Sequence, residues 1–251
     1  MPGRAAPAAP SAVGTASYDG PMPSAFPDLV LPAAVLWDMD GTLIDTEPFW
    51  MAAEIELAET HGAVWTHADA LAMVGSAMSV CTAALRERGV DLPDEEIREF
   101  LNVRVAAGVA RGIPWQKGAP EALGRLREAG VPLALVTSSF HRLADPFVEA
   151  TGFFDVLVAG DDVERAKPDP EPYLTAARRL GVPITACVAV EDSRSGVASA
   201  LASGARTVAI EVMAHVESRP GLSRISSLTD LGLDELARVA AGEVLDLRRA
   251  L

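Results

Sequence analysis

The segment Val35-Leu36-Trp37-Asp38-Met39-Asp40-Gly41-Thr42-Leu43-Ile44-Asp45-Thr46-Glu47 constrains the fold most, because an apolar run delivers two carboxylates, one residue apart, into a turn. Residues 33–37 are short, apolar and preceded by Pro32, which predicts a strand buried on both faces of a parallel sheet. Ligand crevices in such sheets lie beyond the carboxyl ends of the strands, where Asp38 falls. Alternate residues of an extended chain point to one side, so Asp38 and Asp40 are expected to share a site. Carboxylates that close repel one another unless a cation or a proton sits nearby. Mg2+ fits, since one or two carboxylates hold it while water or phosphate completes its octahedron. Gly41 lets the backbone turn, and Thr42 adds a hydroxyl. Taken alone, an Asp-rich junction that caps a helix has the same pattern.

The chain has 251 residues, of which 49% are apolar, enough for one large or two modest domains with a real core. A net charge of −14 disfavours nucleic acid or an anionic membrane surface as a partner. No apolar stretch is long enough to span a bilayer. Only Cys81 and Cys187 are present, so a disulfide framework is not expected and the cytoplasm is the expected compartment. Lys117 and Lys167 are the only lysines.

Residues 1–31 are rich in Ala, Pro, Gly and Ser without periodicity and read as a disordered leader; their prolines leave no signal-peptide core. Residues 48–113 then read as about four helices, with proline-marked crossings at Glu47-Pro48 and Ile113-Pro114. Trp50, Ile55, Leu57 and Ala58 form the expected apolar face of the first, Thr66 caps the second, and Pro93 opens the last, expected to run to Arg111-Gly112. From Gly118 onward helix and strand alternate. Strands are expected over 131–136, 154–159, 187–190 and 207–210, with helices over 120–129, 142–150, 170–180, 193–203 and 229–239. This alternation implies right-handed crossovers and an α/β fold: a doubly wound, mostly parallel, Rossmann-like sheet carrying an inserted all-helical cap. The expected division is a core of residues 32–47 and 114–251 and a cap of residues 48–113.

Further polar groups follow the later strands. Thr137-Ser138-Ser139 offers hydroxyls and free amides at a helix start, a pattern that suits a phosphate but, taken alone, is more often an ordinary N-cap. Lys167 stands in Lys167-Pro168-Asp169-Pro170, where two prolines fix the loop and an ammonium could face the carboxylates. Glu191-Asp192 places another carboxylate pair at a strand end, again compatible with simple capping.

In order and spacing, Asp38-Met39-Asp40-Gly41-Thr42, Thr137, Lys167-Pro168 and Glu191-Asp192 resemble the four motifs of the haloacid dehalogenase-like hydrolase superfamily. The helical insertion resembles the cap of its beta-phosphoglucomutase-like, sugar-phosphate phosphatase branch. The resemblance covers residues 33–240. It implies Asp38 as nucleophile, Asp40 as general acid and base, Thr137 with the amides near Ser138 as phosphoryl ligands, and Lys167 as charge balance. It implies that Mg2+ is held by Asp38, the Asp40 carbonyl and Asp192, with Glu191 helping through water or by orienting Lys167. Trp50, Gly75, Ser76 and His141 fall where the branch contacts substrate, although Trp50 also suits a core position, Gly75-Ser76 a plain turn and His141 a solvated helix start. The implied activity is hydrolysis of a small phosphorylated metabolite, a sugar or polyol phosphate. The alternatives are a sugar phosphomutase or a catalytically weak binding protein on the same fold. Mutases of the branch carry a lysine before the loop glycine and an arginine after it, whereas Val74 and Met78 stand there in this chain. The oligomeric state is not readable from the sequence.

Overall fold

A computed structural model of the chain describes residues 29–212 and 216–248. The leader expected over residues 1–31 therefore lies, residues 29–31 excepted, outside the described residues. The strands are β1 (Ala34–Trp37), β2 (Leu133–Val136), β3 (Val156–Val158), β4 (Cys187–Glu191), β5 (Arg206–Ile210) and β6 (Leu222–Ile225). They form one parallel six-stranded sheet in the order β3-β2-β1-β4-β5-β6. Chain order reverses between β1 and β4, and a crevice opens at such a switch point.

Alternation along the strands builds two different faces. Val35, Trp37, Leu133, Leu135, Val188 and Val190 face a large cluster that includes Leu123, Leu126, Phe147 and Leu236. These four belong to helices α5 (Ala119–Glu128), α6 (His141–Thr151) and α9 (Leu233–Ala240), while α7 (Glu171–Leu180) and α8 (Arg194–Ser203) cover the opposite face. On the other face Leu36 lies in register between Ala134 and Ala189. These small neighbours let Tyr173, Ala176 and Ala177 of α7 and Ala200 of α8 pack closely onto the sheet.

Between β1 and α5 run α1 (Glu47–Thr60), α2 (His67–Met73), α3 (Met78–Glu87) and α4 (Asp94–Val109). Thr66 and Asp69 form a capping box at α2, and Asp94, Glu95 and Glu96 fill the first turn of α4, opposite the partial positive charge of its N-terminus. Ala53, Leu57, Trp65, Leu85, Ile97 and Leu101 make an apolar cluster of these helices' own. Arg86, Arg88 and Arg104 pair with Asp94, Asp69 and Glu56 at the surface.

Several expectations shift, β2 and β3 starting two residues later than expected among them. Helix α4 ends at Val109 rather than at Arg111-Gly112. Strand β6 was not expected: Leu222-Ser223-Arg224-Ile225 has only its pairing with β5 to make it a strand. Helix α9 starts at Leu233 rather than 229, because the Ser227 hydroxyl accepts from the Thr229 amide and supports a separate short turn over Leu228–Asp230.

Leu101 is fully buried in the insertion's cluster. Leu101→Ala is expected to lower unfolding free energy by about 2–5 kcal/mol, the cost of lost transfer plus a cavity, measured by urea denaturation.

Candidate active site

Backbone geometry brings the ends of three strands together. The Asp38 amide donates to the Val190 carbonyl at 3.0 Å, so the residue after β1 sits beside the end of β4. Lys167 reaches in from the loop before α7, with its side chain 3% exposed. Its Nζ donates to Asp38 Oδ1 at 2.7 Å, to the Val136 carbonyl at 2.8 Å and to Glu191 Oε1 at 2.5 Å. All three ammonium protons are thereby used. Tyr173, which sequence reasoning did not single out, donates its hydroxyl to Glu191 Oε1 at 2.6 Å, and the Ser193 hydroxyl reaches Glu191 Oε2 at 3.2 Å. Glu191 thus positions Lys167 while being held from α7 and α8. Gly196 lies so close to Glu191 that a Cβ there would collide with the carboxylate, so the glycine in the first turn of α8 makes room for it.

One lysine does not balance the acids around it. Oxygens of Asp38, Glu191 and Asp192 lie within 4.8 Å of one another, and all three residues are buried. Burial, then the Glu191 charge, push the Asp38 carboxyl up to about 7, against the pull of Lys167. Burial, then Asp38 and Glu191, raise Asp192 well above the usual carboxylate range. Asp38 Oδ2 is buried and, among the described residues, without a hydrogen-bond partner. Asp192 Oδ1 accepts from Thr42 Oγ1 at 3.2 Å, while its carboxylate occupies the place a Cβ on Gly41 would take. Gly41 has φ +88°, a conformation that favours glycine for a second reason. An orphaned buried oxygen among acids that face each other is the donor set of a hard cation, and the residues present fit Mg2+.

Asp40 has four donors. Its Oδ1 accepts from Thr46 Oγ1 at 2.6 Å and from Trp50 Nε1 at 3.4 Å, both on the side of the helical insertion. Its Oδ2 accepts from Ser139 Oγ at 2.7 Å and Thr137 Oγ1 at 3.2 Å, both after β2. Thr137 Oγ1 also accepts from the Ser139 amide at 3.0 Å. Half-buried Trp50 therefore does two things: it packs at the edge of both apolar clusters, and its indole N–H meets Asp40.

A cavity joins these groups to the insertion. Asp38, Asp40, Lys167 and Asp192 line one wall with Ser138 and Ser139. Across from them stand Trp50, Val74, Gly75, Ser76 and Met78, together with Glu47, Glu54 and Cys81, which sequence reasoning had not placed there. Glu54 was findable: it follows Trp50 by four residues and precedes Leu57 by three, which puts it on the buried side of α1. His141 is elsewhere. Its ring nitrogens meet Asp145 at 2.8 Å and Asp162 at 3.2 Å at the start of α6, and it does not line the cavity in which substrate contact was expected of it. Hydrogen bonding to Asp145 raises its pKa. Among the described residues no helix is long and apolar enough to cross a membrane.

A family model described as haloacid dehalogenase-like hydrolase matches residues 32–204. Hexitol phosphatase A of Escherichia coli is 33% identical over 208 residues, spanning 81% of this chain and 91% of that protein. N-acetylmuramic acid 6-phosphate phosphatase of Pseudomonas aeruginosa is 32% identical over 197 residues, spanning 74% and 85%. Among solved structures, CbbY from Rhodobacter sphaeroides in complex with phosphate superimposes with a TM-score of 0.72 at 28% identity, covering 80% of this chain and 97% of that one.

The raised carboxyls fix a pH dependence. Asp38 and Glu47 both titrate near 7 in the metal-free fold but near 4 in an unfolded chain, so between those values the native state holds the extra protons. Their contribution to stability is complete below about pH 4 and is lost as pH rises through about 7. The urea midpoint of metal-free protein is expected to fall over that range, less steeply in Asp38→Asn, and Mg2+ is expected to raise it most at the upper end.

Proposed function

The chain belongs to the haloacid dehalogenase-like hydrolases and is a phosphatase, and we propose that it hydrolyses a small sugar or polyol phosphate through an aspartyl phosphate on Asp38. The observation that carries this reading is Asp38 itself. It is buried at the end of β1, with one oxygen oriented by Lys167 and the other unpaired among acids that call for a cation.

In the proposed reaction an Asp38 oxygen attacks phosphorus as the bond to the leaving oxygen breaks, and Asp40 gives that oxygen its proton. Water then attacks the phosphorus, Asp40 takes the water's proton, and inorganic phosphate leaves Asp38. The contacts of Asp40 with Thr46, Trp50, Thr137 and Ser139 fix the direction from which it delivers the proton. Ser138, with Thr137 and the backbone amides that follow, would hold the phosphoryl oxygens, and Lys167 would offset their charge. Asp38, Asp192 and the Asp40 carbonyl would hold Mg2+, which when bound neutralises charge on the transferring group. Glu191, already committed to Lys167 and Tyr173, acts by positioning Lys167. Residues 48–113 would serve as a cap that closes the cavity over the core of residues 32–47 and 114–251, with water excluded while the acyl phosphate exists.

The names of the relatives support a phosphorylated carbohydrate as substrate. Val74 and Met78 in the cavity wall support hydrolysis over mutase chemistry, since they give no grip to a second phosphate.

Two outcomes test the assignment. Asp38→Asn is expected to lose at least a thousandfold in kcat for phosphate release, and chelation of Mg2+ to abolish wild-type turnover; a metal-free Asp38→Asn that turns over normally overturns it. Asp40→Asn is expected to slow release from an alkyl phosphate far more than the first step with p-nitrophenyl phosphate, whose leaving group needs no proton. Rapid-quench measurement of the p-nitrophenolate burst reads that difference; equal losses would reduce Asp40 to a shaping role.

A further inference from the structure

Glu54 is a carboxylate buried at the wall of the catalytic cavity without a cation. It is 6% exposed, sits on α1, and lines the same space as Asp38, Asp40 and Lys167. Trp65 Nε1 donates to its Oε2 at 3.1 Å, and the Cys81 thiol, a weak donor, reaches its Oε1 at 3.3 Å. Among the described residues no lysine, arginine or histidine pairs with it, and burial raises its pKa. A carboxylate accepts about four hydrogen bonds, so capacity remains on both oxygens. Holding such a group away from water is costly unless something else donates to it.

The rest of the lining is also rich in carboxylates, with Asp38, Asp40, Glu47 and Asp192. Glu47 stands beside Glu54 and titrates near 7, pushed up by burial, then by Asp40 and Glu54. Among the described residues Lys167 is the one basic side chain lining the cavity, and its protons are already shared among Asp38, Val136 and Glu191. Among the described lining residues no positive side chain is left for a second anion, which would meet carboxylates instead.

We propose that Glu54 is a specificity-determining residue that accepts a hydrogen bond from a hydroxyl of a neutral polyol or sugar leaving group and excludes leaving groups carrying a second negative charge. This rests on the phosphatase reading above. Glu54 makes the cap wall select by polarity as well as by shape, because a hydroxyl satisfies the carboxylate while an anion is repelled by it.

Phosphate release with Mg2+ from glucitol 6-phosphate, 6-phosphogluconate and p-nitrophenyl phosphate tests it in wild type, Glu54→Gln and Glu54→Met. The wild type is expected to favour glucitol 6-phosphate over 6-phosphogluconate by at least tenfold in kcat/KM. Glu54→Gln, which keeps the shape and an acceptor for Trp65, is expected to shrink that preference about tenfold. Glu54→Met is expected to lower the ratio of glucitol 6-phosphate to p-nitrophenyl phosphate at least tenfold, mainly through KM. Ratios that stay flat while all three substrates lose rate together would make Glu54 only a tie between Trp65 and Cys81 and overturn the inference alone. No release from any substrate by the wild type would overturn the phosphatase reading and this inference with it.

Discussion

The buried ammonium of Lys167 ties the crevice together. It joins the residue after β1, the last carbonyl of β2 and the last residue of β4, three neighbouring strands whose ends would otherwise present acids to one another. An ion this deeply buried is tolerated only with full hydrogen bonding, and here each of its protons has an acceptor. The arrangement is still unbalanced toward negative charge, since Asp38, Glu191 and Asp192 surround one lysine. The protein alone can lower that energy only by taking up protons, and a divalent cation lowers it without them. In the proposed function such a cation would also offset the charge of an incoming phosphate, which these acids alone would repel.

Parts of this were legible from residue order. The apolar run into Asp38 and Glu191-Asp192 after an apolar stretch each mark a strand end, Lys167 precedes two prolines in a chain with only one other lysine, and parallel topology gathers strand ends on one side. Other parts depend on partners far away in sequence. Strand β6 has a mixed composition and exists because β5 offers it an edge. Tyr173 reads as an ordinary helical aromatic until Glu191, on a different strand, gives its hydroxyl an acceptor. Glu54 meets Trp65 and Cys81 at separations of 11 and 27 residues, which no periodicity announces. His141 shows the converse: its place beside the serines after β2 suggested substrate contact, but the turn of α6 carries its ring toward Asp145 and Asp162.

Asp40 links the two halves of the structure. Two of its donors, Thr46 and Trp50, belong to the start of the helical insertion, and two, Thr137 and Ser139, belong to the loop after β2. A second tie runs alongside, where Asn102 of α4 accepts from the Phe140 amide at 2.8 Å and Arg142 of α6 meets Glu99 at 2.9 Å. Any displacement of α1 relative to the sheet must stretch or exchange the Thr46 and Trp50 contacts, so the orientation of the Asp40 carboxylate follows the position of the insertion. In the proposed chemistry that coupling has a direct use: the group that moves the proton is fully aligned only when the helices are seated, which is when bulk water is kept from the acyl phosphate.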